Sequence, residues 1–211
     1  MRLSAYAVPA RSAEAEVTDR GSRFLAFVER VKDEDAARAV VAAARIRHHD
    51  ARHHCSAYVV GPPGPHQVLR AHDDGEPSGT AGAPILEVLT GRGLADVVVV
   101  VTRWFGGTLL GAGGLVRAYA DSARAAVEAA GTISRARREV LRVELPHAEA
   151  GRVENALRAA GVLVVDVAYA GAVTLDLAVD PGAVERTHAL LAELGGGALV
   201  AEPVGERWMD S

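Results

Sequence analysis

The sequence predicts an α/β (α+β) protein of two domains, and three observations support this prediction. The chain has 211 residues, which exceeds one typical domain of about 100 to 150 residues. Its first half places a glycine-rich loop between a β-branched run and a long helical pattern, as in an α/β crossover. Its second half has the order strand–helix–strand–strand–helix–strand, which is the ferredoxin-like βαββαβ arrangement.

The first half begins with a predicted β-hairpin. Residues 16–20 and 23–31 flank the turn at Gly21, and apolar residues alternate through the second of these runs. Asp33 can cap a helix that ends at about His48 and has acidic residues first and basic residues last, as the helix dipole favours. The rest of this half predicts strands at 55–61, 67–74 and 96–102 and helices at 83–91 and 115–131.

The second half has its own complete set of elements. Pro181 at the start of one helix and Gly161 after the other are typical helix boundary residues. We therefore predict two domains, 1–137 and 138–211, with a linker at 134–138 and a surface tail at 205–211. The predicted elements are strands at 139–145, 162–170, 172–179 and 198–204, and helices at 147–161 and 181–195.

Composition excludes several classes of protein. With 49% hydrophobic and 24% charged residues, the chain is typical of globular proteins, and its apolar runs are too short to span a bilayer. One cysteine, Cys55, cannot form a disulfide within the chain, so we expect a cytoplasmic protein. Residues 1–137 hold 17 basic and 15 acidic residues and the rest hold 6 and 12, so one broad polyanion-binding surface cannot cover both halves.

The glycine-rich loop from Arg103 to Gly114 is the strongest local signal. A strand, a glycine-rich turn and a helix start can together present backbone N–H groups to an anion. The spacing GGxxxGxGG matches neither a Walker A nor a GxGxxG loop. The alternative is structural, because these glycines also permit tight turns and close packing.

Two further clusters each allow a chemical and a structural interpretation. The loop DDGEPSGTAG holds three carboxylates that could bind Mg²⁺ or act as acid and base, whereas capping of the next helix by Ser78 or Thr80 is the structural alternative. The stretch from His48 to Cys55 contains zinc-type ligands, but no second cluster completes a site. Cys55 begins an apolar strand, which favours a small buried side chain over a nucleophile.

These motifs resemble those of the IMPACT family, in its bacterial YigZ branch. The resemblance rests on ARHHCSAYVVGPP, DDGEPSGTAGAPIL and VVVVVTRWFGGTLLGAGGLVRAYADSA, which follow in this order across residues 51–123. It implies a first domain similar to the second domain of small-subunit ribosomal protein five. The second domain resembles the last domain of elongation factor G. Eukaryotic members regulate translation with an extra RWD domain that this resemblance does not cover, so their kinase-pathway role is not carried over.

The resemblance also implies a set of binding positions. Arg103 is the best candidate for a phosphate contact, and the alternative is an internal ion pair with Asp74 or Glu76. We predict no catalytic residue, no metal site and no cofactor. The predicted anion- or RNA-binding surface consists of His53, Asp73, Asp74, Glu76, Ser78, Thr80, Arg103, Phe105, Gly106, Gly107, Gly111, Gly113, Gly114 and Arg117.

Two functions fit the sequence. The first is a non-catalytic, translation-linked protein that binds RNA or the ribosome, with a protein partner in translation control as a further expectation. The second is an enzyme that acts on a phosphorylated small molecule or nucleotide through the glycine-rich loop. We interpret the chain as the binding protein rather than the enzyme.

Overall fold

The structure, a computed structural model, describes residues 4–211. The chain divides into two compact units, residues 4–134 and 135–211. The described strands form two five-stranded sheets, and helices pack on each of them. The predicted mixed α/β architecture is thus confirmed, while the likeness to the ribosomal protein and the elongation factor stays a prediction. No helix among the described residues is long and apolar enough to cross a bilayer.

The first unit contains six complete strands and three helices. It also includes the first three residues of the next strand, β7, which continues into the second unit. Most of these elements agree with the sequence prediction, but β1 was missed because its five residues follow a polar start. The elements are β1 (Ala5–Pro9), β2 (Ala13–Asp19), β3 (Ser22–Arg30), α1 (Glu34–Arg47), β4 (His53–Val60), β5 (Val68–His72), α2 (Gly82–Gly91), β6 (Val97–Trp104), α3 (Gly111–Ala130) and β7 (Thr132–Leu145).

The sheet of the first unit has the order β2-β3-β6-β4-β5 and is antiparallel throughout. On one face, α1 packs over Val98 and Val100 of β6. Because side chains alternate along a strand, Val99 and Arg103 point to the other face. There α3 packs over β2 and β3, and α2 packs over β4 and β5. Arg103 therefore lies on the face of the sheet that α3 covers.

The second unit has the predicted βαββαβ order. Its strands are β7, β8 (Leu163–Tyr169), β9 (Val173–Val179) and β10 (Ala201–Asp210). The sheet that contains them has the order β1-β7-β9-β8, and β10 also pairs with β7. The helices are α4 (His147–Ala159) and α5 (Val184–Leu194), and a 3₁₀ turn at Pro181–Ala183 precedes α5. Leucines and valines on one face of the sheet form a single core with both helices, including Leu141, Leu175, Leu177, Val153, Leu157 and Leu191.

Two predictions for irregular segments were wrong. Residues 134–138, predicted as a linker, lie within the continuous strand β7, and most of the predicted tail 205–211 belongs to β10. These segments pair with each other, with Arg137 opposite Trp208 and Arg135 opposite Asp210. The sequence pattern did not predict these strands because the paired residues are mostly charged. Backbone pairing and an ion pair of 3.1 Å between Arg137 and Glu206 take the place of an apolar pattern.

Candidate functional site

The first carboxylate of the acidic loop, Asp73, caps α2. Its Oδ1 accepts hydrogen bonds from the N–H groups of Ala81 and Gly82 at 3.0 and 2.8 Å, and its Oδ2 accepts one from Gly79 at 2.8 Å. Burial favours the protonated acid, but these N–H groups outweigh it and hold the pKa of Asp73 below its ordinary value. Asp73 thus occupies the positive end of α2 as an internal anion.

Ser78 and Thr80 do not cap α2, contrary to the structural alternative. Ala81 occupies the N-cap position and makes no side-chain cap bond. The Thr80 hydroxyl donates instead to the Pro77 carbonyl at 2.6 Å, while Ser78 is exposed. The cap comes from Asp73, eight residues before Ala81, because the intervening turns return the chain to the helix start. Local spacing rules cannot reveal such a cap.

The second carboxylate, Asp74, joins three elements. Its side chain accepts hydrogen bonds from Arg45 of α1 at 2.6 Å and from the His54 N–H of β4 at 2.7 Å. Its carbonyl lies 2.8 Å from Nδ1 of His53, which places that predicted site residue beside the acidic loop. Burial raises the pKa of Asp74, but Arg45 and the His54 N–H reverse this, and the net pKa is lowered. Asp74 is therefore a structural anion.

The third carboxylate, Glu76, forms a buried ion pair with Arg103. Nη1 of Arg103 donates to Oε1 of Glu76 at 2.6 Å, and the Tyr119 hydroxyl donates to the same oxygen at 2.7 Å. Arg103 is only 6% exposed. Of the two interpretations of Arg103, the structure thus shows the internal pair, with Glu76 rather than Asp74 as the partner. Nε of Arg103 is buried and has no hydrogen-bond partner in the part of the chain that the structure describes.

Cys55 extends this network into the core. Its Sγ lies 3.2 Å from the Tyr119 hydroxyl and 3.0 Å from the Asp73 carbonyl. Burial raises the pKa of the Cys55 thiol to about 12 and also raises the pKa of Tyr119. Cys55 is therefore a protonated, fully buried thiol, which agrees with its interpretation as a small core side chain.

The glycine-rich loop packs directly against the turn of the β2–β3 hairpin. The Gly106 N–H donates to the Ser22 hydroxyl at 3.2 Å, and Nη2 of Arg103 lies 3.5 Å from the same hydroxyl. A Cβ at Gly106 would overlap the backbone of Gly21 and Ser22. Gly107 and Gly111 have φ angles of 88° and 72°, which favour glycine. The loop therefore has strict structural requirements at these positions.

The loop ends at the N-terminus of α3, which no side chain caps. Leu110 occupies the N-cap position, and the first turn contains no acidic residue. Arg117, an exposed residue one turn further on, places Nη1 3.9 Å from the position that a Cβ of Gly113 would occupy. Among the described residues, no hydrogen bond or ion pair engages the Arg117 side chain. The start of α3 thus presents backbone N–H groups that no side chain caps, and the Arg117 guanidinium of the second turn reaches back toward Gly113 of the first.

Exposed apolar side chains precede this helix start in the chain. Phe105 is 52% exposed and Leu109 is 82% exposed. Before them in the chain, the Trp104 ring is covered by the guanidinium of Arg23 at 3.9 Å from its centroid, and its Nε1 donates to Asp50 at 2.8 Å. The loop surface therefore combines aromatic and apolar contact area with arginine, a composition suited to unpaired bases.

Most of the predicted site residues fall into two groups. His53, Asp73, Asp74, Glu76, Thr80 and Arg103 hold the scaffold together, whereas the exposed loop and helix start contain Phe105, Gly106, Gly107, Gly111, Gly113 and Arg117. Two residues belong to neither group: Gly114 is buried against Leu110, and Ser78 is exposed in the acidic loop. No group of three or more His, Cys, Asp or Glu side chains within residues 4–211 is arranged to hold a metal ion.

Comparisons with known proteins place the chain in a family. The Impact N-terminal domain model matches residues 20–127, and a domain of unknown function, DUF1949, matches residues 143–198. A relative in Bacillus subtilis, IMPACT family member YvyE, is 36% identical over 92% of this chain and 89% of its own length. The chain belongs to the IMPACT family.

Two further comparisons extend over the same two regions. IMPACT family member YigZ of Escherichia coli is 33% identical over 93% of this chain and 97% of that protein. A crystal structure of a hypothetical protein is 32% identical and superposes with a TM-score of 0.69, covering 95% of this chain and 97% of that one. The likeness of this IMPACT member to its relatives thus includes both units.

Sequence reasoning about this IMPACT member missed several site residues. Tyr119 looked like an ordinary core position on an amphipathic helix. Arg23 lies in a predicted strand, and Trp104 in the predicted glycine-rich loop. The signal for Tyr119 was its place on the α3 face that packs on the sheet, where a buried hydroxyl needs a partner. Arg23 and Trp104 are directly opposite in the β3–β6 register, which only the paired structure reveals.

Proposed function

We propose that this chain is a non-catalytic, translation-linked protein of the cytoplasm that binds RNA, free or in the ribosome, through the N-terminus of α3. The observation that carries the proposal is the unpaired Arg117 beside an uncapped helix start. A cation at the positive end of a helix is electrostatically unfavourable. A bound phosphate would satisfy both the guanidinium and the free N–H groups.

The exposed loop supports RNA in preference to a small phosphorylated ligand. Phe105 and Leu109 are too exposed to belong to the core and lie in the loop that leads to the first turn of α3. An exposed aromatic ring can stack on an unpaired base, and such stacking contributes about 1–3 kcal/mol per base. Double-stranded RNA would offer its backbone to Arg117 but no free base to Phe105. We therefore propose single-stranded RNA or a loop of folded RNA as the ligand.

The alternative function, an enzyme for phosphorylated small molecules, loses its main support. Its acidic groups were Asp73, Asp74 and Glu76. Asp73 caps a helix, Asp74 pairs with Arg45, and Glu76 pairs with Arg103. Carboxylates engaged in this way have little capacity left for Mg²⁺ or for proton transfer. The binding interpretation needs none of them to be free.

The experiment measures binding of the full chain to a fluorescently labelled single-stranded RNA by anisotropy, over a series of salt concentrations. Arg117→Gln should weaken binding and reduce the slope of log K against log salt by about one phosphate contact. Phe105→Ala should weaken binding by about 1–3 kcal/mol with the salt slope unchanged.

The matched control is Arg186→Gln, which removes an arginine that is also exposed and also has no partner among the described residues. This variant should bind RNA like the wild type. The proposal fails if no binding appears at low salt. It also fails if Arg186→Gln weakens binding as much as Arg117→Gln, because the contact surface would then lie in the second unit.

A further inference from the structure

The second unit contains a cleft that no family resemblance assigns to a function. It has a volume of 620 Å³ and lies between α5 and the junction of α4 with β8. Its apolar wall includes Val162, Leu163 and Leu190. A volume of this size is in the range of small-ligand sites, which pair an apolar lining with a few placed polar groups.

The polar groups of the cleft are arranged along α5. Arg186, Leu190 and Glu193 all line it, and their spacing of four and three residues places them in one row on the helix face. Because α5 rises about 1.5 Å per residue, Arg186 and Glu193 are separated by roughly 10 Å along the helix axis. The cleft thus offers a cation, an apolar contact and an anion in sequence.

Both charged groups are available to a ligand. No hydrogen bond or ion pair involving either side chain occurs among residues 4–211, and both residues are exposed. The cleft also contains Arg138 and Asp180, but these two charges are bonded to each other, since Arg138 donates to Asp180 at 2.6 Å. Asp180 also accepts from the Gly182 N–H at 3.1 Å, so it is engaged within the protein.

The order of the two free charges opposes the dipole of their own helix. Arg186 lies in the first turn of α5, where an anion would be favoured, and Glu193 lies in the last turn, where a cation would be favoured. A ligand with a carboxylate near Arg186 and an ammonium near Glu193 corrects both mismatches at once. Such a ligand is a zwitterion with its charges about 10 Å apart.

The separation of the charges selects the chemical class. The two charges of a free amino acid are too close together to reach both groups. An extended peptide spans about 3.3–3.6 Å per residue, so three residues span about 10 Å. We propose that this cleft binds a peptide of about three residues with free termini, its carboxylate at Arg186, its ammonium at Glu193 and an apolar central side chain against Leu190.

The test is calorimetric titration of the full chain with the peptide Ala-Leu-Ala. N-acetylation and C-amidation should each weaken binding about tenfold, the effect of losing one charge-assisted hydrogen bond. Glu193→Gln should weaken binding of the free peptide equally and should remove the effect of acetylation. Arg186→Gln should do the same for amidation, and Ala-Leu should bind more weakly than Ala-Leu-Ala.

The control variant is Glu185→Gln, which removes an exposed acid of α5 outside the cleft lining and should leave affinity unchanged. Thermal melts of all three variants check that the unit stays folded. The proposal is overturned by a lack of saturable binding up to millimolar peptide. It is equally overturned if neither acetylation nor amidation of the peptide changes the affinity. A loss of affinity in Glu185→Gln as large as that in Glu193→Gln would also overturn it.

Discussion

At the scale of single residues, the buried pair of Arg103 and Glu76 has the largest electrostatic consequence. Its side chains are 8% and 4% exposed, so each charge depends on the other in place of water. Arg103→Ala would leave the Tyr119 hydroxyl as the remaining hydrogen-bond partner of the Glu76 carboxylate within residues 4–211. Removal of one member of such a pair costs about 3–5 kcal/mol. We expect urea unfolding to show a loss of this size.

The comparison variant is Arg38→Ala, which breaks an exposed ion pair with Asp35 on α1. Exposed pairs of this kind contribute little to stability because water and salt screen them. An Arg103→Ala variant as stable as Arg38→Ala would contradict the buried pair and return Arg103 to the group of candidate phosphate contacts.

The aspartates of the acidic loop make a separate prediction about pH. The pKa values of Asp73 and Asp74 are lowered in the folded protein, so below about pH 4 the unfolded chain binds more protons than the folded one. The stability that these carboxylates contribute is thus complete above their ordinary pKa and is lost as the pH falls through the lowered values. The free energy of unfolding should decrease with falling pH in this range.

Asp73→Asn tests this prediction. It weakens the cap of α2 and should cost about 1–2 kcal/mol at neutral pH. It should also make the decrease in stability between pH 5 and pH 3 shallower than in the wild type, as measured by urea unfolding at each pH. A variant with an unchanged slope would show that Asp73 does not titrate with a lowered pKa.

At the scale of elements, two glycines of the same loop should respond in opposite ways to alanine. Gly106→Ala forces a methyl group into the backbone of the β2–β3 turn, whereas a Cβ at Gly113 meets no atom closer than the Arg117 guanidinium at 3.9 Å. Gly113 is inside α3, where alanine is favoured over glycine by about 0.5–1 kcal/mol.

Thermal melts of the two variants provide the measurement. Gly113→Ala should be slightly more stable than the wild type, and Gly106→Ala should be markedly less stable or fail to fold. Equal effects would show that the loop moves away from the hairpin turn and that its close approach is not required.

The elements also show how far the sequence determined the predictions. The hairpin, α1 with its Asp33 cap, and the βαββαβ series follow from local signals, because periodicity and capping act over a few residues. The register that joins Arg23 to Trp104 and the reach of Asp73 to α2 depend on contacts between distant segments. No local rule describes such contacts, and the strand at residues 134–138 was missed for the same reason.

The candidate site divides in a similar way. The glycine-rich loop and the helix after it were recognisable from the sequence, including Phe105 and Arg117. The choice between an exposed and a buried role for Arg103 depended on which face of β6 it occupies and what covers that face. Only the packing of α3, which brings Tyr119 beside Glu76, decides this.

At the scale of the whole molecule, the division into two units predicts that each folds alone. The boundary between Ser134 and Arg135 leaves all of the β7–β10 pairing in the second fragment. Fragments 1–134 and 135–211 should both give cooperative thermal melts. A non-cooperative melt of either would contradict this prediction.

The position of the cut should also matter. A fragment 138–211 loses the residues of β7 that pair with Trp208, Met209 and Asp210. It should melt lower than 135–211, and a difference of about 1 kcal/mol corresponds to roughly 4–8 °C for a domain of this size. Identical melting temperatures would indicate that the end of β10 contributes nothing to stability.

The whole chain contains two tryptophans, Trp104 in β6 of the first unit and Trp208 in β10 of the second. Each unit therefore carries one intrinsic fluorophore. With Trp104→Phe, light emission reports the second unit alone, and with Trp208→Phe it reports the first. Tryptophan fluorescence can thus follow the unfolding of each unit without an added label. The difference between the two unfolding transitions measures how strongly the stability of one unit depends on the other.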